Sequence, residues 1–121
     1  MAGCRIIHDD MSDQKIEQFK ADLGQFLVDI QTVRKVDGVA FKRIDSEAAN
    51  FARTLRGQPL VPKSLLNELR IALKVLRAEA PYIKSETNRL MEMANKLERT
   101  FDLILMGESP DDRIPGVPRI I

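Results

Sequence analysis

The N-terminal residues contain the side chains that most resemble a metal or nucleophile site. His8 is the only histidine of the chain, Cys4 is the only cysteine, and Asp9 and Asp10 follow the histidine directly. A zinc site needs four ligands in a fixed geometry, and a nucleophile and its base usually come from distant parts of a chain. Because these four residues are close neighbours in sequence, we interpret them as part of a polar leader. We predict no metal site and no cofactor.

The carboxylates of the second half do not form a catalytic pattern. Five glutamates fall away from the apolar positions of the sequence, as solvated surface residues do: Glu68, Glu79, Glu86, Glu92 and Glu98. Glycine-rich phosphate loops are absent, and the Glu-x-x-His pairs of di-iron bundles cannot be built with one histidine. We therefore predict no catalytic residues and expect a protein that is not an enzyme.

A row of basic side chains is the clearest indication of a binding surface. Residues 34–77 hold ten Lys or Arg side chains and four Asp or Glu side chains, although the net charge of the whole chain is only +1. Five basic residues recur at intervals that align them along one side of a helix: Lys63, Arg70, Lys74, Arg77 and Lys84. We predict that the last four of them form a charged face for a protein partner.

The same basic residues suggest an alternative function. A nucleic-acid-associated helical module could use the basic stripe of residues 53–84, with Arg53 and Arg56 added from the preceding helix, to follow a phosphate backbone. However, the segment before Lys63 is longer than a helix-turn-helix turn, and no cluster of Asn, Gln and Arg opens the next helix for reading bases. Nucleic-acid binding is therefore the second hypothesis, after protein binding.

The C-terminal residues form another candidate surface. Their prolines favour an extended chain, and four apolar side chains are too hydrophobic for an idle solvated end: Ile114, Val117, Ile120 and Ile121. The simpler interpretation is that they cover a groove of their own bundle. The alternative is a contact with a partner protein, and all four are candidate partner-binding residues.

Composition indicates which fold must position these residues. The 121 residues are enough for one domain, and 44% are hydrophobic and 31% charged, with strong helix formers dominating. We predict an all-α fold, a three- to four-helix bundle. Residues 1–11 would be a flexible leader, residues 12–107 the helical bundle, and residues 108–121 an extended tail.

Three segments precede the long apolar pattern of the second half. Apolar residues spaced by three and four predict a helix from Ser12 to about Lys35. Residues 36–45 contain the turn signal Asp37-Gly38 and are predicted to be a buried connector. A short helix is then expected from about residue 45 to Gly57, which would close it.

The second half keeps one apolar pattern through a proline. Twelve positions from Leu66 to Ile104, among them Leu69, Leu73 and Leu76, alternate by three and four without a slip at Pro81. An interior proline costs a helix ~3 kcal/mol. The pattern favours one long helix, kinked or barely interrupted at Pro81, over an antiparallel turn, although proline is also well suited to the first position of a new helix.

The flanks of this pattern suggest how the helices associate. Charged residues border the apolar positions up to Glu86, as in a coiled coil, whereas Met91, Met93 and Leu105 widen the apolar side afterwards, as in a bundle core. We predict self-association, with a homodimer as the expected form.

No apolar run is long enough to span a membrane, and with no disulfide available we expect a cytoplasmic protein. The predicted function is that of a regulator, adaptor, chaperone-like subunit or scaffold.

Overall fold

A computed structural model describes residues 13–112, and these residues form four helices. Helix α1 is Asp13–Val33, α2 is Gly38–Thr54, α3 is Lys63–Glu79 and α4 is Thr87–Met106. Short 3-10 turns lie at Ala80–Tyr82, Lys84–Glu86 and Pro110–Asp112, and the described range contains no strand. The predicted all-α bundle is therefore confirmed.

Helix α1 follows the predicted apolar spacing. Phe19, Leu23 and Ile30 are completely buried on one side of it, at 0–1% exposure. Arg34 then takes a left-handed conformation with φ 59°, which ends the helix, and its guanidinium pairs with Glu79 at the end of α3. The ion pair holds the end of α1 beside the end of α3.

Helix α2 begins earlier than the sequence suggested, and the predicted connector over residues 36–45 is wrong. Asp37 is the N-cap of α2, because its Oδ1 accepts hydrogen bonds from the amides of Val39 and Ala40, both at 3.1 Å. The Asp37-Gly38 pair that resembles a hairpin turn therefore starts a helix. Phe41 and Ile44 are buried, as expected for this segment, but they lie on the first turns of a helix and not in a connector.

A turn, and not a kink, lies at Pro81. Helix α3 ends at Glu79, and Ile83 has φ −118° and ψ 77°, which no helix contains. The Thr87 hydroxyl donates to the carbonyl of Ala80 at 2.6 Å and so ties the start of α4 to the end of α3. Of the two forms expected for the long helix, the kink is wrong and the interruption at Pro81 is what the structure shows.

The four helices form a square in the order α1, α2, α4, α3. Helix α1 packs on α2 and α3, and α4 packs on the same two helices. The α1–α2 and α3–α4 hairpins are each antiparallel, and residues 55–62 connect α2 to α3 across one end of the square. At that end the amide of Gly57 donates to the carbonyl of Gly107 at 3.0 Å. Both glycines have positive φ, at +76° and +71°, which favours glycine there.

One hydrophobic core joins all four helices. Helix α3 contributes Leu65, Leu69, Ala72 and Leu76, each at 0% exposure. Leu66 and Leu73, predicted as core positions, are only half-buried at its edge. On α4 the predicted widening of the apolar side is right for Met93, which is buried, and wrong for Met91 and Leu105, which are 38% and 57% exposed.

Candidate interaction face

An open groove lies on the outside of the α3–α4 hairpin, where α3 begins and α4 ends. It has a volume of about 480 Å³ and is lined by Lys63, Leu66 and Arg70 of α3 and by Phe101 of α4, together with Ser64 and Asn67. Leu66 and Phe101 are half-buried and pack on the core from this side. The groove arises because two antiparallel helices meet along one line and diverge on either side of it.

Apolar side chains continue along the α4 border of the groove. Met91, Glu98 and Leu105 are seven residues apart and therefore share one side of α4. Glu98 contacts Arg77 of α3, which places this side of α4 towards α3. Leu105 also follows Phe101 by one turn and remains 57% exposed. The groove thus has exposed apolar surface at its border that the described chain does not cover.

The α3 border of the groove is basic. Lys63, Arg70 and Lys74 are exposed on the same side of α3. None of the three forms an ion pair with another residue within the described range 13–112. Two of the predicted partner-binding residues, Arg70 and Lys74, are thus brought together with Lys63.

The other two predicted basic residues are placed differently. The Arg77 Nη2 donates to Glu98 Oε1 at 2.6 Å and to Asn95 Oδ1 at 3.1 Å, so its charge is already paired. The Arg77 guanidinium lowers the pKa of the Glu98 carboxyl. Lys84 is exposed in the turn after α3 and so does not continue the row on that helix.

The basic residues of α2 do not extend the row. Arg53 lies on α2 and donates to Asp111 Oδ2 at 3.0 Å and to Asn50 Oδ1 at 2.9 Å. Helices α2 and α3 occupy opposite corners of the square, so Arg53 does not join Arg70 on one surface. The expected stripe over residues 53–84 therefore reduces to the basic border of α3.

An acidic border on α4 was not recognised in the sequence. Glu98 and Asp102 are one turn apart, and both are outside the core. The contact of Glu98 with Arg77 places Glu98 beside α3, and Asp102 follows Glu98 by one turn of α4. We call the groove and its two borders the α3–α4 face, defined by these residues: Lys63, Leu66, Arg70, Lys74, Met91, Glu98, Phe101, Asp102 and Leu105.

A second cleft, between α1 and α2, has a different character. It also measures about 480 Å³ and is lined mainly by polar side chains, among them Lys15, Gln18, Asn50 and Glu47. Phe51 is the one aromatic residue among the described residues that line it, and this residue is only 5% exposed. The cleft therefore differs from the α3–α4 groove in the polar and charged side chains that line it.

The α1–α2 boundary contains a carboxyl pair that sequence reasoning missed. Burial and the nearby charge of Asp22 raise the pKa of Glu47, while Arg43, 3.9 Å from the Asp22 carboxylate, opposes the shift. The Glu47 Oε1 is buried and has no hydrogen-bond partner within residues 13–112. No periodicity within α1 or α2 indicates this pair, because it depends on how the two helices are aligned.

The described residues contain no group of three His, Cys, Asp or Glu side chains placed to hold a metal ion.

The remaining candidates lie outside the described residues. This applies to the apolar tail residues Ile114, Val117, Ile120 and Ile121 and to Cys4 and His8. Within residues 13–112, every helix is too short or too polar to cross a membrane. Comparisons of the chain with protein-family models, with curated proteins and with solved structures find no match.

Proposed function

We propose that this chain is a non-enzymatic helical protein that works by binding another protein chain through its α3–α4 face. The observation that carries the proposal is that exposed apolar side chains, such as Leu105 at 57% exposure, share one face with three basic side chains that form no ion pair within residues 13–112. Protein interfaces commonly have an apolar centre and a polar, charged rim. A regulator, adaptor, chaperone-like subunit or scaffold would use such a face.

The charge distribution favours a protein over a nucleic acid. A phosphate backbone needs a continuous run of positive charge. Here Glu98 and Asp102 border the same groove as Arg70 and Lys74, and Arg77 is neutralised by Glu98. A partner with both signs of charge fits this face better than a polyanion does. The cytoplasmic location expected from the sequence stays a prediction.

Site-specific photo-crosslinking in the native cell tests the proposal. A photoreactive side chain at Leu105 should give a protein adduct, because that position borders the α3–α4 face. The matched control carries the same group at Glu17, which is exposed on α1 at the other side of the bundle. Absence of an adduct at Leu105, or equal adducts at both positions, would show that this face is not the binding surface.

A further inference from the structure

We propose that the partner of the α3–α4 face is the same face of a second copy of this chain, with α3 of each copy lying against α4 of the other. This inference rests on the proposed function and names its partner. The two copies would be related by a two-fold axis parallel to the helices. The α3–α4 hairpin of each copy would cover the groove of the other copy. The two α3 helices and the two α4 helices would thus pack together as four helices at the interface.

The two borders of the groove select this arrangement. In a symmetric dimer each residue of the face meets the complementary surface of an identical face. The α3 border is basic, with Lys63, Arg70 and Lys74. The α4 border carries Asp102 and Glu98, and the Oε1 of Glu98 already accepts from Arg77 of its own chain. A two-fold axis across the helices would place α3 against α3 and so bring like charges together. An axis parallel to the helices places basic α3 against acidic α4.

Helix direction agrees with this choice. Helices α3 and α4 of one chain are antiparallel, because the start of α3 lies beside Phe101 and its end beside Glu98 and Asn95. Rotation about an axis parallel to the helices preserves their directions. Each α3 is therefore antiparallel to the α4 that it meets in the second copy, which is the common packing of neighbouring helices in bundles.

The apolar residues of the face would form the centre of the interface. Leu66 and Phe101 are half-buried in the groove. Leu105, one turn after Phe101, and Met91, towards the start of α4, are 57% and 38% exposed. A face two helices wide and one helix long covers about 500 Å² per copy, from about 25 Å of helix length and about 20 Å of width. The total of about 1,000 Å² is at the lower end for a specific interface, so we expect micromolar association.

The α1–α2 side is less suited to a second copy. Its cleft is lined mainly by polar residues, and Arg53 at its border is already bound to Asp111. Asp22 and Glu47 are paired with one another across the boundary of α1 and α2. Exposed apolar side chains also occur on this side, at Val28, Val33 and Val39. The choice of the α3–α4 face therefore rests on its basic α3 border, which forms no ion pair within residues 13–112, beside the carboxylates of α4.

Sedimentation equilibrium on charge-reversed variants of the full chain tests the arrangement. The first variant carries Arg70→Glu and Lys74→Glu, and the second carries Glu98→Gln and Asp102→Lys, which leaves an acceptor for Arg77. We expect each to weaken self-association at least tenfold and their equimolar mixture to recover it as a heterodimer. The control is Lys20→Glu with Lys42→Glu, on exposed positions of α1 and α2, and should associate as the unaltered chain does. Circular dichroism shows that each variant is folded.

The outcomes separate this inference from the proposed function. A monomeric unaltered chain at high micromolar concentration, or a mixture that does not recover, would overturn the pairing of α3 with α4. Recovery when the first variant is mixed with the unaltered chain, and not with the second variant, would place α3 against α3 and also overturn it. If the chain is monomeric but Leu105 crosslinks to a protein of another mass, the inference fails while the proposed function stands.

Discussion

The two hairpins of this bundle carry opposite kinds of charge pair at the boundary between their helices. Between α1 and α2, Asp22 lies against Glu47, and burial together with this like charge raises the pKa of Glu47. Between α3 and α4, Arg77 donates to Glu98 and lowers the pKa of that carboxyl. The first pair is partly enclosed by its own helices, whereas the second is exposed beside an apolar groove.

The two charge pairs have opposite effects on the packing of their helices. The Asp22–Glu47 pair locally destabilises the packing of α1 on α2, because two carboxyl groups share a partly buried site. The pair at the α3–α4 boundary has opposite charges, and Leu105 and Met91 remain exposed on that side. The α1–α2 side also leaves Val28, Val33 and Val39 exposed, so the two sides differ in the kind of charge pair and not in whether apolar side chains are exposed.

The largest expected effect tests whether the two hairpins form one cooperative unit. Ile44 of α2 and Leu97 of α4 are both at 0% exposure in the same core cluster. Ile44→Ala and Leu97→Ala should each lower the free energy of unfolding by about 2–5 kcal/mol. Urea unfolding followed by circular dichroism should give one transition for both variants. Two transitions would mean that the hairpins unfold separately.

Two glycines should respond to alanine in opposite directions. Gly24, inside α1, has open space around the position of a Cβ, so Gly24→Ala should raise the free energy of unfolding by about 0.4–1 kcal/mol. Gly107 ends α4 with φ +71°, so Gly107→Ala should lower it by about 1–2 kcal/mol. Urea midpoints measure both. A loss of stability in Gly24→Ala would indicate that something packs against α1 there.

The carboxyl pair predicts a smaller, pH-dependent effect. Because the pKa of Glu47 is raised in the folded chain, its contribution to stability is fully present below the ordinary glutamate pKa and is lost as pH rises through the raised value. Glu47→Gln stays neutral, so it should be more stable than the unaltered chain at pH about 8 and closest to it at pH about 4. Urea midpoints across this range, with the exposed control Glu17→Gln, measure the difference. A constant offset at every pH would contradict the assigned cause.

The smallest effect is expected at the exposed pair of the other hairpin. The lowered pKa of Glu98 means that its contribution is present above the ordinary glutamate pKa and is lost as pH falls through the lowered value. Glu98→Gln should therefore change stability little at pH about 7, since solvent and salt screen exposed pairs. Its pH dependence should have the opposite sign to that of Glu47→Gln. A strong stabilisation by Glu98→Gln would contradict the contrast between the two hairpins.

Much of the bundle could be predicted from the spacing of apolar residues. On α3, however, two overlapping rows of apolar residues could not be distinguished. On α3 the positions 65, 69, 72 and 76 and the positions 66, 69, 73 and 76 both follow helical spacing. The core uses the first row because it faces the other helices, and the second row packs at the edge. Only the neighbouring helices decide between them.

The proline was misread for a related reason. Ala80 and Ile83 keep the apolar spacing because both are buried in the turn itself, at 1% and 8% exposure. Spacing reports which side chains are buried and not whether the backbone between them is helical. The start of α2 was missed because Asp37-Gly38 suits both a hairpin and a helix start, and the N-cap hydrogen bonds of Asp37 are not visible in sequence.

The candidate site was predicted in part. Helical spacing put Arg70 and Lys74 on one side of α3, and the structure keeps them there. The spacing of residues within one helix cannot show that Glu98 forms an ion pair with Arg77, because this contact joins two antiparallel helices. The Asp22–Glu47 pair escaped prediction for the same reason.

The bond between Gly57 and Gly107 allows the order of assembly to be observed. Each hairpin is formed by neighbouring segments of chain, so both can close early, whereas this bond joins residues fifty positions apart across the end of the bundle. We expect the Gly57 amide to gain protection from hydrogen exchange only when the hairpins dock. In pulse-labelled refolding its protection should therefore lag behind that of amides within α1 and α4, and simultaneous protection would mean that docking and hairpin formation are one event.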